Sequence, residues 1–206
     1  MDSDDDPEAV AENWRRLLAD FAPGADLADM RQVHGADVAL LEESPPQGRP
    51  ECDGIVTTQT DVVLAVRVAD CVPVLLADPG AGVLGAAHAG RPGLGAGVVP
   101  TTLARMREAG ADRIEAWVGP HVCGACYEVP EAMQAEVTAV EPASRATTSW
   151  GTPSLDLGAA VQAQLAREGV VVHDASRCTR ESPDLYSYRR DGSRAGRLAG
   201  LIVRRS

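Results

Sequence analysis

The chain has 206 residues, of which 45% are hydrophobic, and this is enough to bury a core within one domain. Its formal net charge of −11 argues against nucleic acid as a partner, because binding a polyanion requires a basic surface. No segment approaches the roughly 18 consecutive apolar residues of a membrane span, and five cysteines, an odd number, favour reduced thiols over a disulfide framework. We therefore expect a cytoplasmic protein that binds neither membrane nor nucleic acid.

Every basic residue is arginine, because none of the 19 Lys and Arg positions is a lysine. Without lysine the protein cannot form a Schiff base with a substrate, and it cannot contain a Walker-type phosphate loop. Acidic residues concentrate near the N-terminus and arginines in the last third of the chain. A small anionic ligand is therefore compatible with the acidic net charge.

The first predicted element is a helix. Asp6 followed by Pro7 is typical of an N-cap and a first helical position, and apolar residues continue at helical spacing to about Phe21. Strands are predicted next over residues 27–33 and 38–41.

These two strands flank His34, which is therefore expected at a strand end or in a turn. Residues 44–50 contain three prolines and a glycine, and we interpret them as a surface loop.

The centre of the chain holds three apolar runs, at residues 62–69, 72–77 and 83–87. Such nearly continuous runs are typical of strands that are buried on both faces. Cys71 and His88 are therefore expected where buried strands end.

Several glycines follow, at positions 90, 93, 95 and 97, before a helix predicted at 101–109 and a strand at 114–118. We interpret them as a glycine-rich turn whose backbone N–H groups could bind an anion at the start of the helix.

The last third is predicted to contain a helix at 157–168, strands at 170–172 and 198–203, and a polar segment at 186–192. Strand pairs mixed with helices favour an α+β fold over a regularly wound parallel sheet. We expect a single compact domain over residues 1–206, with mixed β-sheets flanked by helices.

The first chemical candidate combines His34, Cys71 and His88. Two imidazoles and a thiolate suit zinc, and a catalytic zinc site keeps three protein ligands and one open position. The spacing of these residues matches no short zinc-binding pattern, and the chain has four histidines, so the geometry is underdetermined. The alternative is that Cys71 packs as a small buried hydrophobe and each histidine is locally hydrogen-bonded.

Cys123 and Cys126 form a C-x-x-C motif, which resembles the second half of a zinc deaminase signature. The first half of that signature, H-x-E, is absent from the sequence. We interpret the pair as structural, and a redox dithiol is the alternative.

Polar residues near predicted element ends give further candidates. Asp70 could orient a ligand histidine or move a proton, or it could cap neighbouring N–H groups. Tyr188 and Arg189, in the polar segment, could stack on a ring or clamp an anion, or they could form an exposed loop.

Six motifs occur in order along nearly the whole chain: Gln32-Val33-His34-Gly35, Cys52-Asp53-Gly54 with Thr57, Ala69-Asp70-Cys71-Val72-Pro73-Val74, Ala87-His88-Ala89-Gly90, Gly119-Pro120 with Tyr127-Glu128-Val129, and Tyr186-Ser187-Tyr188-Arg189-Arg190 with Gly196-Arg197. Together they resemble the laccase-domain purine nucleoside phosphorylase family, formerly described as multicopper polyphenol oxidases. Each motif alone is weak, but six in register make a specific match.

The resemblance implies that His34, Cys71 and His88 bind zinc. It also implies phosphorolysis of adenosine, inosine, guanosine and methylthioadenosine, with adenosine deamination as a companion activity. Catalytic roles are expected for Asp70, Cys71 and His88, and the partners are a purine nucleoside and phosphate. The residues expected to bind substrate are Gly90, Arg91, Gly93, Tyr188 and Arg189.

Three alternatives stay open. Cys71 could be the nucleophile of a cysteine hydrolase, activated by His34 or His88. A copper-dependent polyphenol oxidase could use the same two histidines and cysteine, but three ligands are too few for the several coppers of a laccase. The chain could also be a degenerate binding protein without catalysis.

Two departures from the family pattern bear on the substrate pocket. The family commonly reads H-A-G-W-R-G, whereas this chain places Arg91 and Pro92 after Gly90, which changes a stacking surface or a phosphate contact. Family members also usually begin earlier, so we expect the N-terminal edge element to be short or absent.

Overall fold

A computed structural model describes residues 5–43 and 48–206; most of the loop predicted at 44–50 lies outside the described residues. The helices within these ranges are α1 (Pro7–Phe21), α2 (Arg91–Ala96), α3 (Val98–Glu108), α4 (Glu131–Val140), α5 (Leu157–Arg167) and α6 (Tyr188–Asp191). The strands are β1 (Asp26–Ala28), β2 (Val38–Leu41), β3 (Gly54–Thr57), β4 (Val62–Val68), β5 (Val72–Asp78), β6 (Val83–Ala89), β7 (Glu115–Val118), β8 (Arg145–Thr147), β9 (Pro153–Leu155), β10 (Val171–Asp174) and β11 (Leu198–Ile202).

A mixed six-stranded sheet forms the middle layer, with the strand order β10-β7-β5-β6-β3-β2. A three-stranded sheet, β1-β4-β11, packs on one face, and helices α2, α3 and α5 pack on the other. Parallel and antiparallel neighbours occur in both sheets. The predicted α+β fold with mixed sheets and flanking helices is confirmed.

The three central strands are buried on both faces, as their apolar runs predict. Every residue of β4 and β6 is buried, and β6 lies between the three-stranded sheet and the helical layer. The helical layer lies very close to the sheet: a Cβ built on Gly85 would lie 2.8 Å from the Met106 sulfur of α3. Leu103, Met106 and Leu165 are fully buried there.

The first helix is also confirmed, with Asp6 as its N-cap; the Asp6 carboxylate accepts a hydrogen bond from the Glu8 backbone N–H at 3.0 Å. None of the residues of α1 is fully buried, so this helix lies on the surface of the core. Within the described ranges, no helix combines the length and apolar character needed to cross a membrane.

Two predictions about local structure are wrong. The strand predicted at 27–33 ends at Ala28, and beyond it only Arg31 forms an isolated bridge, to Glu51. The glycine-rich stretch is not a turn but helix α2, in which Pro92 occupies a first-turn position. Only Gly97, in the left-handed conformation with φ 88°, separates α2 from α3.

Strand β3, helix α4 and the β8–β9 pair were not predicted. Strand β3 has four residues and begins with glycine, so it is too short for a periodic pattern. It nevertheless pairs with both β2 and β6, and this pairing positions the candidate site.

Candidate active site

The candidate site lies at one end of the six-stranded sheet, where three motifs meet. Antiparallel pairing of β3 with β6 places Gly54 opposite Ala87, and the His88 N–H donates to the Asp53 carbonyl at 2.8 Å. Pairing of β5 with β6 places Val72 opposite Ala89, which brings the preceding Cys71 beside Gly90. Strand register therefore brings Asp53, Cys71 and His88 together.

The Asp53 carboxylate holds the turn that carries His34. It accepts hydrogen bonds from three successive backbone N–H groups, those of Val33 at 3.1 Å, His34 at 3.0 Å and Gly35 at 2.7 Å. His34 has φ 62°, a conformation that is uncommon for a residue other than glycine. The buried carboxylate compensates the cost of that conformation and fixes the position of the imidazole.

The same carboxylate orients His88. Nδ1 of His88 lies 2.7 Å from Oδ1 of Asp53, and both side chains are fully buried. Burial raises the pKa of Asp53, but hydrogen bonds from His88, Gly35 and Val33 outweigh it and hold the pKa below its ordinary value. The ionised carboxylate can only accept, so Nδ1 of His88 donates its proton to Asp53 and Nε2 is the ring atom that faces the cluster.

Nε2 of His88 is buried and has no hydrogen-bond partner in the part of the chain that the structure describes. A buried polar atom without a partner is costly, so this nitrogen points to a missing ligand. Sγ of Cys71 lies 3.7 Å from Nε2 of His34, and the ligand atoms of His34, Cys71 and His88 all lie within 4.8 Å of one another. Two imidazoles, one of them oriented by a carboxylate, and a thiol together form a donor set that suits zinc.

Burial raises the pKa of Cys71 to about 12, and the Asp70 and Asp53 carboxylates add to the effect. Burial and the neighbouring His88 lower the pKa of His34. The thiolate therefore has no protonated His34 to stabilise it, and a cation between the ligands would supply that stabilisation.

Gly90 and Gly93 leave the space that this cluster occupies. A Cβ on Gly90 would lie 2.4 Å from Cδ2 of His34 and 3.2 Å from Sγ of Cys71. A Cβ on Gly93 would lie 2.6 Å from the Gly35 carbonyl oxygen, within the turn that carries His34. The structure thus gives both glycines a steric role, and the binding of an anion by their N–H groups stays a prediction.

Asp70 forms its hydrogen bonds to residues outside the cluster of His34, Cys71 and His88. It has φ 88°, and its carboxylate accepts hydrogen bonds from the Thr179 hydroxyl and from the Arg189 backbone N–H, both at 2.6 Å. Asp70 therefore binds both Thr179 and the first turn of α6 next to the site. The hydrogen-bond partner of His88 is Asp53, which belongs to one of the six motifs but was not predicted to have a role.

Two arginines and a tyrosine form the rim of the site. The Arg189 guanidinium lies 4.5 Å from the centroid of the Tyr127 ring, and its Nη1 donates to the Glu128 carbonyl at 2.7 Å. Arg91 interacts with the Tyr127 phenol and contributes positive charge at His34. Burial, followed by the nearby Cys71, raises the pKa of Tyr127, so the phenol keeps its proton.

The structure thus brings Arg91 and Arg189 to one aromatic ring, while the side chain of Tyr188 is half exposed, at 51%. Tyr127 was missed as a site residue, although it belongs to one of the six motifs. All five cysteines are free thiols, as their odd number favours.

The sequence is similar to those of known proteins along nearly its whole length. The profile of the family described as multi-copper polyphenol oxidoreductase laccase matches residues 1–205. A Streptomyces coelicolor protein named purine nucleoside phosphorylase is 57% identical over 208 residues, which cover 96% of this chain and 84% of that protein. A Corynebacterium glutamicum protein of the same name is 47% identical, over 96% of this chain and 82% of that protein.

Solved structures show the same fold. A Neisseria meningitidis protein of the DUF152 family superimposes with a TM-score of 0.87 at 31% identity, over 100% of this chain and 85% of that one. YlmD from Geobacillus stearothermophilus gives the same TM-score and identity, over 100% of this chain and 84% of that one.

Proposed function

The chain belongs to the family described as multi-copper polyphenol oxidoreductase laccase, and from this premise we propose that it is a zinc-dependent purine nucleoside phosphorylase. Its proposed substrates are adenosine, inosine, guanosine and methylthioadenosine, with adenosine deamination as a second activity. The names of its relatives support phosphorolysis. The observation that carries the proposal is the convergence of His34, Cys71 and His88 around the unpartnered Nε2 of His88.

These three side chains would hold the zinc ion. When bound, zinc supplies a Lewis acid that polarises a substrate oxygen or water. Copper fits the proposal less well: within the described residues, this cluster offers three histidine and cysteine ligands, whereas a laccase needs several copper sites. Asp53 contributes by fixing the tautomer of His88 and the turn of His34 in advance of binding.

The rim supplies charge where phosphate has to approach. In phosphorolysis a phosphate oxygen bonds to C1′ of the ribose while the C1′–N bond breaks, and the bonding electrons leave with the purine, which takes up a proton. Arg91 and Arg189 place two permanent positive charges beside one aromatic ring. Guanidinium groups bind phosphate oxygens, and the face of Tyr127 offers a flat surface for a base or a sugar.

Product analysis tests the proposal directly. Purified, zinc-loaded protein should convert inosine and phosphate to hypoxanthine and ribose-1-phosphate, and it should convert adenosine to both adenine and inosine. His88→Ala should abolish these products together with the zinc ion held by His34, Cys71 and His88. Cys52→Ala removes a buried thiol outside the cluster and should keep both.

Other outcomes would support a different reaction. Full activity after metal removal, with inactivation by thiol alkylation, would indicate a cysteine hydrolase based on Cys71. Oxidation of a phenol by the copper-loaded protein, without phosphorolysis, would indicate an oxidase. The absence of any product from metal-replete protein would refute the phosphorylase assignment. We place this activity in the cytoplasm, which the free thiols support.

A further inference from the structure

A second group of metal-ligating side chains lies outside the candidate active site. It consists of Cys123, Cys126, Cys178 and Glu181, whose ligand atoms all lie within 4.8 Å of one another. Cys126 is buried, Cys123 and Cys178 are half-buried, and the exposed Glu181 lies beside them, so three thiols and one carboxylate share a small volume. Sequence reasoning found the C-x-x-C pair but not its two partners.

Local backbone structure brings the four ligands together. The chain turns tightly between the first two cysteines, and the Cys126 N–H donates to the Cys123 carbonyl at 3.0 Å. An isolated parallel bridge joins His121 to Cys178, with the Thr179 N–H donating to the His121 carbonyl at 3.0 Å. This bridge delivers the third thiol from a distant part of the chain to the C-x-x-C turn.

The third thiol lies at the start of a turn. The Ser182 N–H donates to the Cys178 carbonyl at 3.0 Å, so the chain curls back and brings Glu181 to the group. The backbone N–H groups of Cys123, Glu181 and Arg180 are directed to the Cys178 sulfur. The Arg180 side chain also interacts with the Cys126 thiol, which adds positive charge beside the sulfur atoms.

We propose that Cys123, Cys126, Cys178 and Glu181 bind a structural zinc ion. In a tetrahedral site with Zn–S bonds of about 2.3 Å the sulfur atoms are about 3.8 Å apart. The separations of up to 4.8 Å in this cluster therefore need shifts of about 1 Å or less to reach that geometry. Cys126 is buried and Glu181 is exposed, so the carboxylate closes the site from the solvent side.

A metal here would join two segments that reach the rim of the candidate active site. Tyr127 directly follows Cys126, and Thr179, which directly follows Cys178, donates to Asp70. The ion would restrain both segments and therefore the Tyr127 ring over which Arg189 lies. The metal site itself does not depend on the proposed function.

Metal content per chain tests the site. Protein produced with zinc in reducing buffer should contain two zinc ions per chain, one in each cluster, measured by mass spectrometry of the metal. Cys123→Ser and Cys178→Ser should each retain one zinc ion, and the matched control Cys52→Ala should retain two. His88→Ala should lose only the zinc ion of the candidate active site, so the two proposed metal sites are tested independently.

A cobalt experiment keeps the test valid if a serine variant does not fold. Cys71→Ala removes the thiol of the first site, so Co²⁺ bound to this variant should show a thiolate charge-transfer band that comes from the three-cysteine cluster. Absence of that band would overturn the proposal. Equal zinc content in wild type and folded Cys123→Ser would also overturn the proposal. A count of three thiols instead of five in denatured, unreduced protein would indicate a disulfide and would overturn it as well.

Discussion

Replacing Gly90 by alanine tests whether the proposed metal centre needs the space that a side chain at this position would fill. The backbone at Gly90 has φ −78° and ψ 165°, which alanine adopts without strain, so the substitution acts through its methyl group. That methyl would lie 2.4 Å from Cδ2 of His34, whereas carbon atoms in contact are about 3.5 Å apart. The His34 ring therefore has to retreat by about 1 Å.

A retreat of this size matters more for metal binding than for folding. An imidazole without metal can rotate away at little cost, but zinc–ligand distances tolerate only about 0.2 Å. Disturbing the residues that position a ligand typically lowers metal affinity by about 10-fold to 100-fold, and here the ligand itself moves. We expect Gly90→Ala to lower zinc affinity roughly 100-fold, with a proportionate loss of phosphorolysis at limiting zinc.

Gly95→Ala is the matched control. Gly95 lies in helix α2, for which Gly90 is the N-cap, and a Cβ built on Gly95 has no atom within 4 Å. Alanine is favoured over glycine within a helix by about 0.5–1 kcal/mol, so this variant should be at least as stable as wild type and bind zinc normally. Zinc affinity is measured by competition with a chromophoric chelator, and folding by thermal unfolding. Equal zinc affinity in the two variants would refute the assigned role of Gly90.

Two further substitutions test the rim and the scaffold. Arg189→Ala removes a guanidinium from the Tyr127 ring but keeps the backbone hydrogen bond to Asp70, and it should raise the KM for phosphate roughly 10-fold. Initial rates at varied phosphate concentration measure this KM, with the exposed Arg16→Ala as the control. A KM for phosphate equal to that of the control would contradict the prediction. The Arg167 guanidinium beside the buried Glu141 holds the pKa of that carboxyl below its ordinary 4.5, so the pair stabilises the fold above about pH 4.5 and loses this contribution as the pH falls through the lower folded-state pKa. Glu141→Gln should therefore lower the midpoint of thermal unfolding at pH 7, and the midpoint should fall less steeply between pH 5 and pH 2 than in wild type. An equally steep fall of the midpoint in both proteins would show that other carboxyls control it.

The layered core could be predicted because its signal is local. A strand covered on both faces needs apolar residues at nearly every position, and the runs that became β4, β5 and β6 have that composition. The first helix likewise carries its own start signal in Asp6 and Pro7. Helix α2 could not be predicted, because glycine is unfavourable in an isolated helix and burial of Leu94 and Gly93 against the core overrides that preference.

The site depends on contacts that no local pattern contains. The role of Asp53 arises from the pairing of β3 with β6, which places its carboxylate between the His34 turn and the His88 ring. Neither the length of β3 nor its composition predicts which strand it pairs with. Residue types and positions made His34, Cys71 and His88 one candidate metal site, and the family resemblance singled it out. The role of Asp53, which positions both histidines, follows only from the fold.

Only half of the second cluster could be predicted from the sequence, for the same physical reason. A C-x-x-C turn is a local motif, so Cys123 and Cys126 could be found by spacing. Cys178 reaches them through a bridge to His121, which is a long-range contact.

Both clusters thus combine candidate ligands from distant segments at strand ends or bridges, and in both a carboxylate lies close to the cysteine or histidine side chains. If both bind zinc, the first ion supplies chemistry while the second fixes the two segments that carry Tyr127 and the Asp70 contact. Loss of the second ion should then raise KM more than it lowers kcat, because it loosens the rim and leaves His34, Cys71 and His88 in place.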